Sequence, residues 1–158
     1  MFEREISTVE SRTACPVRHS YGFTLIELMV TISIVAILAS LAIASYRAYV
    51  VRSHLVEAMD VLSGLQIQME HFYQDTGSYA GPNGCGVAPP ASVSSYFTYT
   101  CVVPDGPGQQ YAFTATGVGM TAGYIYTVDD SPTPRKTSMF AGNPQTGKTC
   151  WLVKADDC

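Results

Sequence analysis

The first half of this sequence has almost no helix-breaking residues. No proline occurs between Pro16 and Pro82, and the glycines in that interval are only at positions 22, 64, 77 and 81. Proline and glycine are the residues least compatible with a helix interior, so their scarcity argues against several short elements here and favours one long helix. Charge is scarce as well, because Glu27 is the only charged residue from position 23 to position 44.

Motifs for catalysis and metal binding are also lacking. No nucleophile–base–orienter set, Gly-rich phosphate loop or nucleotide motif is visible, so we expect neither an enzyme nor a cofactor. His54 and His71 have no ligands at metal spacing, and Asp129 and Asp130 have too few oxygen ligands nearby for a calcium loop. The net charge of −4 excludes the broad positive field of a general nucleic-acid binder, but it allows a local basic patch.

One long apolar run is present at positions 23–44, FTLIELMVTISIVAILASLAIA. As a helix it would span about 33 Å, which matches a bilayer hydrocarbon core about 30 Å thick. A secretory signal cleaved after the small residues at 42–44 is one interpretation, although the run exceeds the usual length of about 7–15 residues. A plain membrane anchor is another, but it leaves Glu27 unexplained, since an acid inside a spanning helix costs about 2.5–3.5 kcal/mol.

A third interpretation explains the acid. Residues 21–28, YGFTLIEL, combine a glycine, an aromatic residue and an acid four positions after it, and a long apolar run follows. This segment resembles the prepilin processing motif of type IV pilins and type II secretion pseudopilins. The resemblance is specific from Gly22 to about Tyr79 and holds in outline beyond that.

The resemblance implies a processing site and an assembly site. A prepilin peptidase would cut after Gly22, where the missing Cβ lets a protease approach the backbone closely, and the new amine of Phe23 would be methylated. Glu27 would pair with the N-terminal ammonium of a neighbouring subunit, which makes a buried carboxylate tolerable. The implied partners are other pilin subunits, the prepilin peptidase/methyltransferase, the inner-membrane assembly platform and, before assembly, the membrane.

Two features depart from the family pattern. Ala44 stands where many relatives have proline, so we expect an unbroken helix through Ser45. The leader is long, with no basic residue directly beside Gly22. Translation from Val17 through an alternative start codon would shorten the leader and would remove Cys15, which has no partner on its side of the apolar run.

Four segments are predicted along the chain: a leader at 1–22, a transmembrane and assembly helix at 23–44, an amphipathic helix at 45–76, and a globular β domain at 77–158 with an α/β loop and a C-terminal disulfide loop. The two helical segments are expected to form one helix from about residue 24 to about residue 74. Beyond position 51 its apolar residues recur every three or four positions, which indicates one face packed on the globular domain.

The globular segment predicts an antiparallel sheet. Four stretches are typical of strands, after an irregular loop at 78–95: positions 96–103, 110–118, 123–128 and 149–154. Alternation of side chains along the first two implies one covered face, and the amphipathic helix is the available cover. The predicted fold class is therefore α+β, the pilin fold, with a long N-terminal helix on a four-stranded antiparallel sheet.

Four cysteines follow the apolar run and, in an exported domain, predict two disulfides. Three pairings are allowed. We favour Cys85–Cys101, which ties the loop to the first strand, and Cys150–Cys158, which closes a C-terminal loop. The two-bridge arrangement looks more like a minor pilin than like most major ones.

A basic group near the C-terminus is the best candidate for ligand binding. Cations and the single tryptophan collect there: Arg135, Lys136, Lys148, Trp151 and Lys154. Some minor pilins bind DNA at such a surface through phosphate contacts and aromatic stacking. Asp156 and Asp157 dilute the charge, and solvated surface cations are the more ordinary interpretation, so DNA stays an alternative partner.

The sequence thus predicts a type IV pilus subunit, more of the minor than of the major kind, with a structural and assembly role. Before assembly it would be a single-pass inner-membrane protein with a periplasmic globular domain, and afterwards part of a cell-surface pilus. The alternatives are a type II secretion pseudopilin, a DNA-binding minor pilin for DNA uptake, and a secreted domain released after Ala44.

Overall fold

The computed structural model describes residues 22–82, 84–91, 95–104, 106–155 and 158, with the side chain of Ala44 left out. The predictions on the leader, on a start at Val17 and on Cys15 lie outside the described residues. So does the dilution of charge expected from Asp156 and Asp157.

A single helix, α1, extends over Leu25–Thr76, a length of 52 residues. It begins after Thr24, whose Oγ1 accepts a hydrogen bond of 3.3 Å from the backbone N–H of Glu27. This cap satisfies one of the amides that a helix start leaves without a partner. The helix ends at Thr76, and Gly77 after it has a φ of +73°, a conformation that favours glycine.

The predicted continuity of the helix through positions 44 and 45 is confirmed. The chain divides into two compact units between Ser40 and Leu41. In the first unit, every described residue is exposed, and the helix is long and apolar enough to cross a membrane. The hydroxyls of Thr31, Ser33 and Ser40 donate to carbonyls of the preceding turn at 2.7–2.8 Å. Such internal hydrogen bonding is what an apolar environment demands.

In the second unit, the amphipathic half of α1 packs on a sheet. Its buried residues recur three or four positions apart, as predicted: Leu55, Ala58, Leu62, Leu65 and Met69. They form one apolar cluster with side chains of the sheet, among them Phe113 and Tyr126, both fully buried.

In the described residues, seven strands follow the helix: β1 Ala80–Gly81, β2 Gly84–Cys85, β3 Phe97–Val102, β4 Ala112–Gly117, β5 Ile125–Asp129, β6 Arg135–Phe140 and β7 Asn143–Pro144. β1 and β2 pair with each other, and β3 to β7 form a five-stranded antiparallel sheet in sequential order. The α+β class and the long helix packed on an antiparallel meander are confirmed, with one strand more in the main sheet than predicted.

The prediction of a strand at 149–154 is wrong. The fourth strand of the sheet is β6, and residues 149–154 have no regular secondary structure. Two of their backbone groups form hydrogen bonds with a side chain of β6 instead of with a neighbouring strand. Thr137 Oγ1 donates to Cys150 O at 2.7 Å and accepts from Leu152 N at 3.0 Å. The β-propensity of a residue depends on how well it fits a half-buried sheet surface, so it does not by itself decide which segment joins the sheet. Here the more polar segment RKTSMF forms the fourth strand.

Candidate assembly and nucleic-acid sites

The predicted cleavage site lies just before α1. Gly22, Phe23 and Thr24 have no regular secondary structure, and Phe23 is 74% exposed. A Cβ placed on Gly22 would meet no described atom within 4 Å. Packing in the described chain therefore gives no reason for glycine at this position, and an accessible non-helical peptide is what a protease needs.

Glu27 lies in the first turn of α1 with its side chain exposed. The positive end of the helix favours a carboxylate there. Among the described residues, no cation forms an ion pair with it. Its neighbours Leu25, Ile26 and Leu28 are exposed apolar side chains. If this turn is covered by lipid or by other helices, the carboxylate needs a cation from another molecule.

Arg135 and Trp151 of the basic group come together. The Arg135 guanidinium carbon lies 5.0 Å from the centre of the Trp151 ring, within the range of a cation–π contact. The indole Nε1 donates to Thr127 O at 2.9 Å, which fixes the ring against β5. Arg135 is exposed at the start of β6, so the pair presents a positive charge on an aromatic support.

Lys136 is engaged differently, because its Nζ forms an ion pair with Asp129. Burial of Asp129 opposes its ionisation, but hydrogen bonds from Lys136 and Ser131 outweigh burial and hold the pKa of the carboxyl below its ordinary value. The charge of Lys136 is thus partly compensated inside the protein. In the described part of the chain, no three His, Cys, Asp or Glu side chains gather as a metal site.

The remaining two cations of the group, Lys148 and Lys154, belong to two different surfaces. Lys148 Nζ donates to Cys158 O at 3.3 Å, in the C-terminal loop. Lys154 instead lines a groove together with Arg47 and Arg52 of α1. The sequence prediction of one five-residue basic group therefore resolves into Arg135 with Trp151, a compensated Lys136, a loop-bound Lys148 and a cation of a second surface.

Two disulfides join the cysteines of the globular unit, Cys85 with Cys101 and Cys150 with Cys158. The first links β2 to β3. The second closes the loop that carries Trp151, so it limits the positions that the indole can take beside β6.

One polar cluster escaped the sequence reasoning. The carboxylate of Glu70 on α1 accepts hydrogen bonds from the hydroxyls of Tyr79 at 3.2 Å and Tyr111 at 3.3 Å. Burial, followed by the Glu70 charge, raises the pKa of Tyr79 to about 12 and also raises that of Tyr111. Both phenols therefore stay protonated donors that tie the helix to the segments before β1 and β4. The partners follow Glu70 by 9 and 41 residues, which no local pattern reveals.

Comparison with known proteins defines the class first. The profile of the prokaryotic N-terminal methylation motif matches residues 17–43, so the chain is a pilin-like protein with that motif. A second profile, described as type IV minor pilin ComP, DNA uptake sequence receptor, matches residues 44–124, just over half of the chain. The chain belongs to this type IV minor pilin family.

Curated relatives are pilins as well. The fimbrial protein EcpC of Eikenella corrodens is 38% identical over 96 residues, 60% of this chain and 61% of the relative. The type IV major pilin PilE1 of Neisseria gonorrhoeae is 42% identical over 71 residues, 45% of this chain and 33% of the relative. FimA of Dichelobacter nodosus is 44% identical over 62 residues, 39% and 38% of the two chains. The chain thus spans between a third and about three-fifths of these relatives' lengths. No solved structure matches significantly.

Proposed function

We propose that this chain is a minor subunit of a type IV pilus, cut between Gly22 and Phe23, methylated at Phe23 and assembled with other pilin subunits. The observation that carries the proposal is one helix of 52 residues with two different halves. The first exposes apolar side chains and a single acid, and the second packs on a sheet. Such a helix has apolar surface to cover with lipid before assembly and with sister helices afterwards.

Glu27 is the proposed assembly residue. Its carboxylate has no described cation partner, and cleavage after Gly22 creates an ammonium on Phe23 of each subunit. When helices pack side by side, the ammonium of one subunit forms an ion pair with the carboxylate of the next. The pair compensates part of the free energy that each charge loses when it leaves water. The pair therefore sets the register between subunits.

The proposed location follows from the same helix. The apolar half holds the precursor in the inner membrane as a single span, with the globular unit in the periplasm, until the assembly platform moves it into a fibre at the cell surface. The type II secretion pseudopilin alternative receives less support, because the family match and the relatives are type IV pilins.

Processing is the first test. In cells that contain a prepilin peptidase, the mature chain is expected to begin at N-methylated Phe23, as read by intact mass and N-terminal sequencing. Gly22→Val should leave the precursor uncut, because the added side chain blocks close approach of the protease to the backbone.

Gly64→Val supplies the matched control. A Cβ at this helical glycine also meets no described atom within 4 Å, so the variant should be cut normally. A mature chain that begins at Ser45 would contradict the proposal and support a secreted domain instead.

DNA binding is a second proposed function, because two observations favour it. The family profile is described as a DNA uptake sequence receptor, although its match ends at residue 124, before the basic group. Independently, Arg135 lies on Trp151, whose ring is fixed by Thr127. A guanidinium held on an aromatic plane suits a phosphate contact, and the indole offers a face for a base.

We infer that Arg135 contributes more than Lys136 to this function. Arg135 is exposed and has no acid partner among the described ion pairs, whereas Lys136 is paired with Asp129. In band shifts of full-length mature protein in detergent with a random-sequence DNA duplex at low salt, Arg135→Gln is expected to weaken binding about tenfold. It should also reduce the slope of log affinity against log salt by about one. Lys136→Gln should have a smaller effect.

Gln74→Glu is the control for charge. Gln74 is exposed near the end of α1, and the substitution lowers the net charge by one, as Arg135→Gln does. It should change binding less than Arg135→Gln. No shift from the intact protein at low salt would end the DNA proposal without affecting the proposal of a pilus subunit.

A further inference from the structure

A groove of about 440 Å³ lies in the second unit, between α1, the sheet and the C-terminal segment. Its apolar lining includes Val51 of α1 together with Tyr124 and Phe140 of the sheet region. The two rings meet edge to face, with their centres 5.1 Å apart, and so form a continuous apolar wall. The sites proposed above, which are the cleavage site, Glu27 and the Arg135–Trp151 pair, do not include this groove.

Positive charge borders the apolar wall. Arg47, Arg52 and Lys154 line the groove, and none of the described lining residues is acidic. Neither arginine forms an ion pair with a described residue. Three of the ten described lining residues are cations, although the whole chain has a net charge of −4. Such a site complements an anion that also carries apolar groups.

The position of the arginines along α1 indicates which anion. The apolar run ends at Ala44, so at about 1.5 Å per residue Arg47 lies about 4.5 Å and Arg52 about 12 Å further along the helix axis. The headgroup layer of a bilayer begins at the end of the hydrocarbon and is about 5–8 Å thick. Arg47 therefore falls at headgroup depth. The backbone of Arg52 lies a few ångströms beyond the layer, at a distance that a long arginine side chain can span towards the headgroups.

Two exposed tyrosines mark the same depth independently. Tyr46 is 69% exposed and Tyr49 is 72% exposed, although both are large aromatic side chains. Tyrosine is enriched where a spanning helix passes through the membrane interface, because its ring and hydroxyl suit the two sides of that boundary. Tyr46 directly precedes Arg47 in the helix, and Tyr49 follows it by two positions.

We propose that this groove binds the headgroup of an anionic phospholipid while the chain is in the membrane. Arg47 and Arg52 bind the phosphate, and the wall of Tyr124 and Phe140 covers the glycerol and the first acyl carbons. The inference rests on the proposed membrane-bound stage of the pilin. It adds a lipid ligand that holds the globular unit at the membrane surface and that must leave when the subunit enters a fibre.

The test uses full-length mature protein in detergent micelles that contain dioleoyl phosphatidylglycerol or dioleoyl phosphatidylcholine, with bound lipid counted by native mass spectrometry. These lipids have the same acyl chains, so a difference between them reports the headgroup. Phosphatidylglycerol is expected to be retained about tenfold more than phosphatidylcholine, and Arg47→Gln/Arg52→Gln should remove most of that preference. Gln68→Glu/Gln74→Glu changes the net charge equally on exposed positions of α1 and should retain it.

Other outcomes would overturn the proposal. One is a preference for phosphatidylglycerol in the arginine variant that equals that of the wild type. Displacement of the lipid by millimolar glycerol phosphate would assign the groove to a small anion. A protein dimer in place of a lipid adduct would assign it to a second copy of this chain. Flotation with phosphatidylcholine vesicles separates the two levels of failure. If the protein does not float, the proposed membrane stage itself fails. If it floats and native mass spectrometry finds no headgroup preference, only the groove proposal fails.

Discussion

Glu27→Gln is expected to remove the subunit from sheared pili while leaving it processed and in the membrane fraction. The amide keeps the size of the side chain but cannot neutralise the ammonium of a neighbouring Phe23. Removing one partner of a buried ion pair costs about 3–5 kcal/mol, which corresponds to incorporation lowered by about a hundredfold or more. Immunoblots of sheared fibres and of membranes, with the N-terminus checked by mass spectrometry, measure the effect.

Asp60→Asn is the matched control, since it makes the same acid-to-amide change at an exposed position of the amphipathic half of α1. This variant should enter fibres like the wild type. Normal incorporation of the Glu27 variant would show that assembly does not need the ion pair. Loss of cleavage in that variant would move the role of Glu27 from assembly to recognition by the peptidase.

Thr137→Val is expected to destabilise the globular unit strongly, although valine has nearly the shape of threonine. Thr137 is 1% exposed, and its hydroxyl serves both Cys150 O and Leu152 N. The substitution removes the partner of the buried Leu152 amide, which costs about 1–3 kcal/mol, and also that of the partly buried Cys150 carbonyl. The free energy of unfolding, measured by urea denaturation of the full chain in detergent, should fall by about 1–3 kcal/mol.

Thr100→Val tests whether the loss is specific. Thr100 lies on β3 of the same sheet with its side chain exposed, so its replacement should change stability by less than about 0.5 kcal/mol. Equal stability of both variants would mean that solvent replaces the hydroxyl of Thr137. The Thr137 variant should also weaken any DNA binding, because the loop that it holds carries Trp151.

These two residues illustrate two kinds of information in the chain. Glu27 is recognisable because it is the one charge in an apolar run, and both features are local. Thr137 is one of many threonines in the second half of the chain, and the residues near it in sequence do not indicate its role. Its partners are 13 and 15 residues away, in a segment whose own composition favours a strand.

Strand positions followed the same division. β3, β4 and β5 were predictable, because alternation such as that of Phe97 and Tyr99 reflects one buried face. β6 was not, since its residues RKTSMF lack a clear apolar alternation. β6 joins the sheet because it pairs with the free edge of β5. Thr137, near the centre of β6, also forms a hydrogen bond with Cys150 of the C-terminal segment.

The candidate sites were predictable to different degrees. The cleavage site and Glu27 were read from eight consecutive residues, whereas the basic group was read as one set of five. Folding separates that set, because the ion pair with Asp129 compensates Lys136 and because Lys154 lines a groove with Arg47 and Arg52. The clustering of three cations from both ends of the globular unit was invisible before the helix and the C-terminal segment were brought together.

The amino-acid sequence by itself determined the long helix, its two different halves, the position of the acid at its start and the strands with a buried face. Each of these depends on contacts or periodicity within a few residues, where side-chain size and polarity decide. Only the tertiary structure decided which segment became the fourth strand, that Arg135 contacts Trp151, and that Arg47, Arg52 and Lys154 line one groove. Those outcomes depend on competition between distant segments for the same partners, and such competition is settled only when the whole core packs.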